Sequence, residues 1–216
     1  MNTGLMELIR ERASDQGHSR INGVVIGIVT NNKDDEGLGR VKVRFPWLSN
    51  TDDSFWARIA TPMAGNNRGA YFLPELDDEV LVAFEHGDVR FPYIVGSLWN
   101  GKDQAPANNT DGKNNLRLIR SRSGHVIKLN DEDGKETVEI IDASGKNSIV
   151  IDTAHKTITI TADADIVLAA AQGSIKLQAK TIEIRATADV TIGAKGKTNV
   201  TSIDDMVVKG KTVNIN

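Results

Sequence analysis

A chain of 216 residues with a formal net charge of -3 has room for one large or two small domains, and it offers no general attraction for nucleic acid or anionic lipid. It contains no cysteine, which excludes disulfide staples and cysteine-based catalysis or metal ligation and leaves the redox compartment open. No window is apolar for long enough to make a membrane-spanning helix, and Met1 to Gln16, charged every few residues, lacks the apolar centre of a secretory signal.

In chain order, Met1 to Ala13 reads as a short amphipathic helix with Leu5, Met6, Leu8 and Ile9 near one face. The segment 1–19 is therefore either a frayed end or a docking element. Ile21 to Thr30 reads as a strand, and the polar stretch Asn31 to Gly39 as a loop. Arg40 to Phe45 alternates cleanly, with Val41, Val43 and Phe45 on one face and Arg40, Lys42 and Arg44 on the other. Phe55 to Ala60 is a further strand, with Trp56 as a core or packing residue. Gly65 to Gly69 is a turn. Glu79 to Phe84 alternates Val80, Val82 and Phe84, the turn His86-Gly87-Asp88 follows, and Pro92 to Leu98 is the last strand of this part. About five strands in residues 20–99 suit a small barrel. All the aromatic residues lie between Phe45 and Trp99, so an aromatic core is expected there.

Residues 100–115 form a linker rich in Gly, Pro, Asn and Asp. Beyond it, Leu116 to Ile119 and His125 to Leu129 read as a hairpin around Ser121 to Gly124, and Thr137 to Ile141 as a strand. These are expected to be the longer-stranded first turns of a repeat that fills 116–216. The repeat consists of apolar pairs: Ile149 and Ile151, Ile158 and Ile160, Ile166 and Leu168, Ile175 and Leu177, Ile182 and Ile184, Val190 and Ile192, Val213 and Ile215. Both members of a pair, two residues apart, leave an extended strand on the same side. The pairs restart roughly every eight residues, too short a unit to bury its own apolar face; it becomes stable when turns stack or when other chains supply the missing walls. The expected fold is all-β, with a stack of short strands wound into a β-helix or prism. A β-sandwich, with longer strands and wider turn spacing, and a disordered polar tract are the alternatives.

The inventory of reactive groups contains no catalytic, cofactor-binding or metal-binding constellation. His18, His86, His125 and His155 are not at ligand spacing. Ser123-Gly124-His125 is no nucleophile elbow, and Asp34, Asp35 and Glu36 do not have the spacing of a calcium loop. Gly-Lys recurs, as at Gly145-Lys146 and Gly196-Lys197, without the phosphate-loop pattern. The basic face of Arg40, Lys42 and Arg44 is short and followed by acidic residues, which favours a solvated strand face over a nucleic-acid site.

Several segments together resemble the phage baseplate assembly protein V family and the core of the valine-glycine repeat tip proteins of type VI secretion. They are Gly39-Arg40-Val41-Lys42-Val43-Arg44-Phe45-Pro46-Trp47, Ser54-Phe55-Trp56-Ala57-Arg58, Gly69-Ala70-Tyr71-Phe72-Leu73-Pro74 and Asp78-Glu79-Val80-Leu81-Val82-Ala83-Phe84. Gly87-Asp88, Pro92, Gly96-Ser97-Leu98 and Arg120-Ser121-Arg122-Ser123-Gly124-His125 complete the set, so the likeness covers 20–216. It implies an OB-fold barrel followed by a C-terminal trimeric intertwined β-helix, the puncturing central spike of a contractile injection machine, built without a cofactor. Family members commonly carry glycine where this chain has Asp77, a residue that tolerates positive φ better than most. The sequence starts almost at the barrel, with no large hub region, so a separate baseplate hub protein is expected on the N-terminal side. It also has no lysozyme insertion and no His-rich tip. The apolar alternation runs to the last residues, so Val213, Ile215 and Asn216 are expected to seat a small conical Pro-Ala-Ala-Arg repeat tip protein; closure by Asn214 and Asn216 side chains is the alternative. Such a particle is phage tail-like, is assembled in the bacterial cytoplasm, and meets a target membrane transiently. Two rival functions stand beside it: a ligand- or nucleic-acid-binding OB module on a trimeric stalk, and a tail-fibre-like receptor-binding protein.

Overall fold

A computed structural model describes residues 20–48 and 52–215. The amphipathic N-terminal reading and Asn216 lie outside those residues. The described residues form two five-stranded sheets and a small two-stranded ribbon.

The first sheet contains β1 (Val24–Asn31), β2 (Lys42–Arg44), β3 (Arg58–Ile59), β6 (Glu79–Phe84) and β7 (Pro92–Ser97), in the order β2-β1-β6-β7-β3. The ribbon is β4 (Ala64–Gly65) with β5 (Arg68–Gly69), built on the expected turn. Neighbours in the large sheet are antiparallel except β3 and β7, which run parallel. Its two edges are tied to each other. Val41 and Ala57 exchange backbone bonds of 3.0 and 2.7 Å, and the Ser54 amide donates to the Val43 carbonyl at 2.7 Å. The sheet therefore curls back on itself into an OB-like half-barrel.

Alternation decides what fills it. Val80, Val82 and Phe84 of β6 point inward with Val29, Val41, Val43, Phe45, Ala57 and Ile94. The core is thus mostly valine, and this corrects the aromatic core expected from composition: only Phe45 and Phe84 are buried, with ring centroids 5.7 Å apart. A small barrel has a narrow interior, which β-branched side chains fill better than rings. Gly27 shows how tight it is: a Cβ there would lie 3.2 Å from both Val43 and Val82. Asp77 adopts φ +69°, and its amide donates to the Val29 carbonyl at 2.9 Å, so aspartate holds the left-handed turn before β6.

No strand occurs among residues 98–115; side-chain turns organise them, as where Asn100 Oδ1 accepts from the Lys102 and Asp103 amides. The second sheet then follows as β8 (Leu116–Arg120), β9 (Val126–Asn130), β10 (Thr137–Ile141), β11 (Ser148–Asp152) and β12 (Thr157–Thr161), each antiparallel to the next. Residues 116–161 thus run as a meander within one chain. The connections are short enough to force hairpins, whereas winding in one sense needs crossovers. Residues 162–215 contain no strand, and all of them except the half-buried Ala162 are exposed.

Candidate functional site

The register of the second sheet brings the apolar pairs into rows. Ile119 faces Ile127, which faces Ile140, then Ile149, then Ile160, one residue from each of the five strands. A second row runs Leu129, Val138, Ile151, Ile158 on the same side, ending at Arg117 of β8. Cross-strand neighbours of this kind pack laterally and hold the ladder. Among the described residues nothing covers them: Ile140 is 51% exposed, Ile149 42% and Ile158 70%. A continuous exposed apolar face is the kind of surface through which proteins associate.

The opposite face is chemically different. Its central row is Leu118, Lys128, Glu139, Val150 and Thr159. Lys128 Nζ lies 2.9 Å from Glu139 Oε1, and Thr137 donates to the same oxygen at 2.6 Å. Burial pushes the Glu139 carboxyl up, but these two donors outweigh it and hold the group below its ordinary value. One side of the sheet is therefore satisfied by itself and the other is not.

A polar row closes the apolar face at one end. The His125 amide donates to Ser121 Oγ at 3.0 Å, and the Ala143 amide donates to His125 Nδ1 at 3.1 Å. Asn147 Nδ2 donates to Asp142 Oδ2 at 2.8 Å, Ser144 Oγ donates to Asp142, and the Asp163 amide donates to Asn147 Oδ1 at 2.9 Å. The Asn147 and Ser144 donors hold the Asp142 carboxyl down to about 2. The backbone donor fixes His125 with a bare Nδ1, so the neutral ring carries its proton on Nε2.

Of the residues expected to build the stack, Ile149, Ile151, Ile158 and Ile160 share this face. Ile166, Leu168, Ile175, Leu177, Ile182, Ile184, Val190, Ile192, Val213 and Ile215 are exposed and lie outside any strand. Sequence reasoning started the rows too late. Ile127 and Leu129, and Val138 and Ile140, have the same two-residue spacing and belong to the same face. The polar row carried no sequence signal beyond its turn residues, because its members meet only through strand register.

The barrel holds the rival site. Arg40 and Lys42 sit over the Trp56 ring at 5.6 and 5.2 Å, and Arg58 over Tyr93 at 4.6 Å. Arg40, Arg58 and Arg90 line a shallow depression with Trp56 and Tyr93, and all three guanidinium groups are already engaged. Arg40 forms two bonds of 2.8 Å to Asp34 and lies 3.1 Å from Glu36; Arg58 faces Glu85, and Arg90 faces Asp88. The Arg40 bond holds the Asp34 carboxyl well below the ordinary range. Trp56 is covered by cations, so it is not offered as a stacking platform, and the arrangement lacks the open basic groove that a nucleic-acid strand requires. Among the described residues no cluster of three or more metal-ligating side chains occurs, and no helix is long and apolar enough to cross a membrane.

Comparison with known proteins bears on the barrel first. Residues 25–99 match the model of the type VI secretion system/phage-baseplate injector OB domain. The chain is 30% identical over 139 residues to the type VI secretion system spike protein VgrG3 of Vibrio cholerae, covering 59% of this chain and 14% of that protein. It is 31% identical over 125 residues to spike protein VgrG1a of Pseudomonas aeruginosa, covering 52% of this chain and 19% of the relative. A third relative, the actin cross-linking toxin VgrG1 of Vibrio cholerae, is 28% identical over 139 residues, covering 59% and 13%. The chain spans less than a fifth of the length of these curated relatives. Over residues 25–99, the curled sheet with its valine core is thus similar to the type VI secretion system/phage-baseplate injector OB domain.

Proposed function

We propose that this protein is the central spike of a contractile injection machine and works as a structural part without catalysis. Three copies join through the apolar face of β8–β12, and residues 162–215 continue below as an intertwined β-helix in which every apolar pair finds a wall in a neighbouring chain. The barrel end is mounted on a separate hub protein, and Val213, Ile215 and Asn216 seat a small tip protein at the other end. The particle is assembled in the bacterial cytoplasm and reaches a target membrane when the machine fires.

The observation that carries this reading is the two uncovered apolar rows of the second sheet. Buried against like faces, each isoleucine or valine contributes about 1.5–3 kcal/mol, whereas in a lone chain much of that is lost. Association also covers the free edges of β8 and β12, which invite pairing with another chain. Similarity to proteins named as spikes points the same way.

Co-expression with neighbouring hub and tip genes tests the role. The full chain is expected to co-purify with both, and deletion of 211–216 to lose the tip protein while keeping the hub. Full retention of the tip by the truncated chain would place the tip surface elsewhere.

A further inference from the structure

Two apolar rows alone do not specify how copies of the sheet align. They lie two residues apart along each strand, roughly 7 Å. A neighbouring copy displaced by that distance would set one row against the other with almost the same apolar match. Something at the ends of the face must distinguish the true alignment from the slipped one.

The polar row is placed to do this. His125, Asp142 and Asn147 continue the period-two positions of Ile127, Ile140 and Ile149, and they border the same depression on the apolar face. Their hydrogen bonds run from the turn after β8 to the segment after β12, so the row is fixed by the sheet. Asp142 is ionised at neutral pH and its oxygens are occupied by Ser144 and Asn147, while His125 Nε2 and one Asn147 N–H keep donor capacity.

We infer that the row of His125, Asp142 and Asn147 sets the register in which copies of this sheet join face to face. This rests on the proposed association through the apolar face. In the aligned state each polar row meets another polar row. In the slipped state it meets isoleucines, and an ionised carboxylate and two amide- or imidazole-type groups lose water without gaining partners. A single polar position among apolar ones fixes alignment in the same way in helical assemblies. A second copy is the occupant that fits. Between Arg117 and Asp142 the face carries no charge for a charged partner to recognise, and a like face reproduces both the apolar rows and the polar end.

The absence of native cysteine makes the test direct. Two differently tagged forms of the full chain are co-expressed, one carrying Ile160→Cys and the other either Ile160→Cys or Ile158→Cys. Oxidative cross-linking is read between the tags, and light scattering gives the mass of each sample. In the parent background the same-row pair is expected to cross-link, with the cross-row pair at least about tenfold lower, the ratio expected for leaving a buried polar group unpaired. In His125→Leu/Asp142→Ala/Asn147→Leu the two yields should become comparable. His125→Asn, which keeps an acceptor for the Ala143 amide, should retain the parent ratio, and circular dichroism confirms that each variant folds. A parent ratio that survives loss of the polar row, or comparable yields in the parent, overturns the register role alone. A trimeric mass with no cross-link in either pair removes the face from the interface. A monomeric mass removes the proposed assembly and the register role together.

Discussion

Replacing Ile140 by aspartate separates a lone sheet from an assembled one. Ile140 lies on β10, the central strand, with Ile127 and Ile149 as cross-strand neighbours. In a single chain it is 51% exposed, so a carboxylate there stays hydrated. Truncation to alanine would then cost at most about half of the 1.5–3 kcal/mol that full burial provides. When copies cover the face, truncation leaves a cavity and costs roughly 2–5 kcal/mol per chain. Aspartate costs more, because an unpaired carboxylate enters an apolar core, and the loss is repeated in every copy. The assay is a thermal melt at low and high protein concentration, with light scattering at each, since association makes the melting temperature depend on concentration. Ile140→Ala is expected to melt lower as a trimer, and Ile140→Asp to run as a monomer. Thr159→Asp, on the opposite face of β12, should leave mass and melting unchanged. If Ile140→Asp keeps the parent mass and melts with Thr159→Asp, the face is not buried and the reasoning fails.

Gly27→Ala places a Cβ 3.2 Å from Val43 and Val82, and should destabilise the barrel by about 1–3 kcal/mol; a denaturant melt followed by tryptophan fluorescence measures this, and an unchanged midpoint would mean the core is looser than described. Ile182→Ala in the trailing repeat should cost roughly 2–5 kcal/mol per chain, while Glu183→Ala costs little, as read by melting of the assembled protein; equal losses would show the facing assignment to be wrong. Asp34 and Asp142 have folded-state values below the ordinary 3.8 of an aspartate, so their contribution is complete above that value and is lost as pH falls through it, toward about 2 for Asp142. Acid melts of Asp34→Asn and Asp142→Asn should therefore converge with the parent at low pH; a difference that persists there would point to a role other than charge.

The barrel was legible because its strands are half-buried and alternate. Val41, Val43 and Phe45, and Val80, Val82 and Phe84, announce their inward faces by spacing alone, and all six are buried. Its filling was less legible. Composition placed ten aromatic residues in the middle of the chain, yet only Phe45 and Phe84 enter the core, because steric room is set by Gly27 and the curl of the sheet. The apolar pairs gave the shared face of Ile149, Ile151, Ile158 and Ile160, since a two-residue spacing survives any arrangement of strands. They did not give the meander of β8–β12, which depends on the connections. They could not reveal the polar row either: His125 and Asp142 are seventeen positions apart and come together only through the pairing of β9 with β10.

The mass of the purified chain in solution tests the central claim most directly. Light scattering at micromolar concentration is expected to give three times the 23.4 kDa of one chain, with the apolar face of β8–β12 covered by neighbouring copies. A stable monomer that leaves Ile127, Ile140 and Ile149 open to solvent would contradict it.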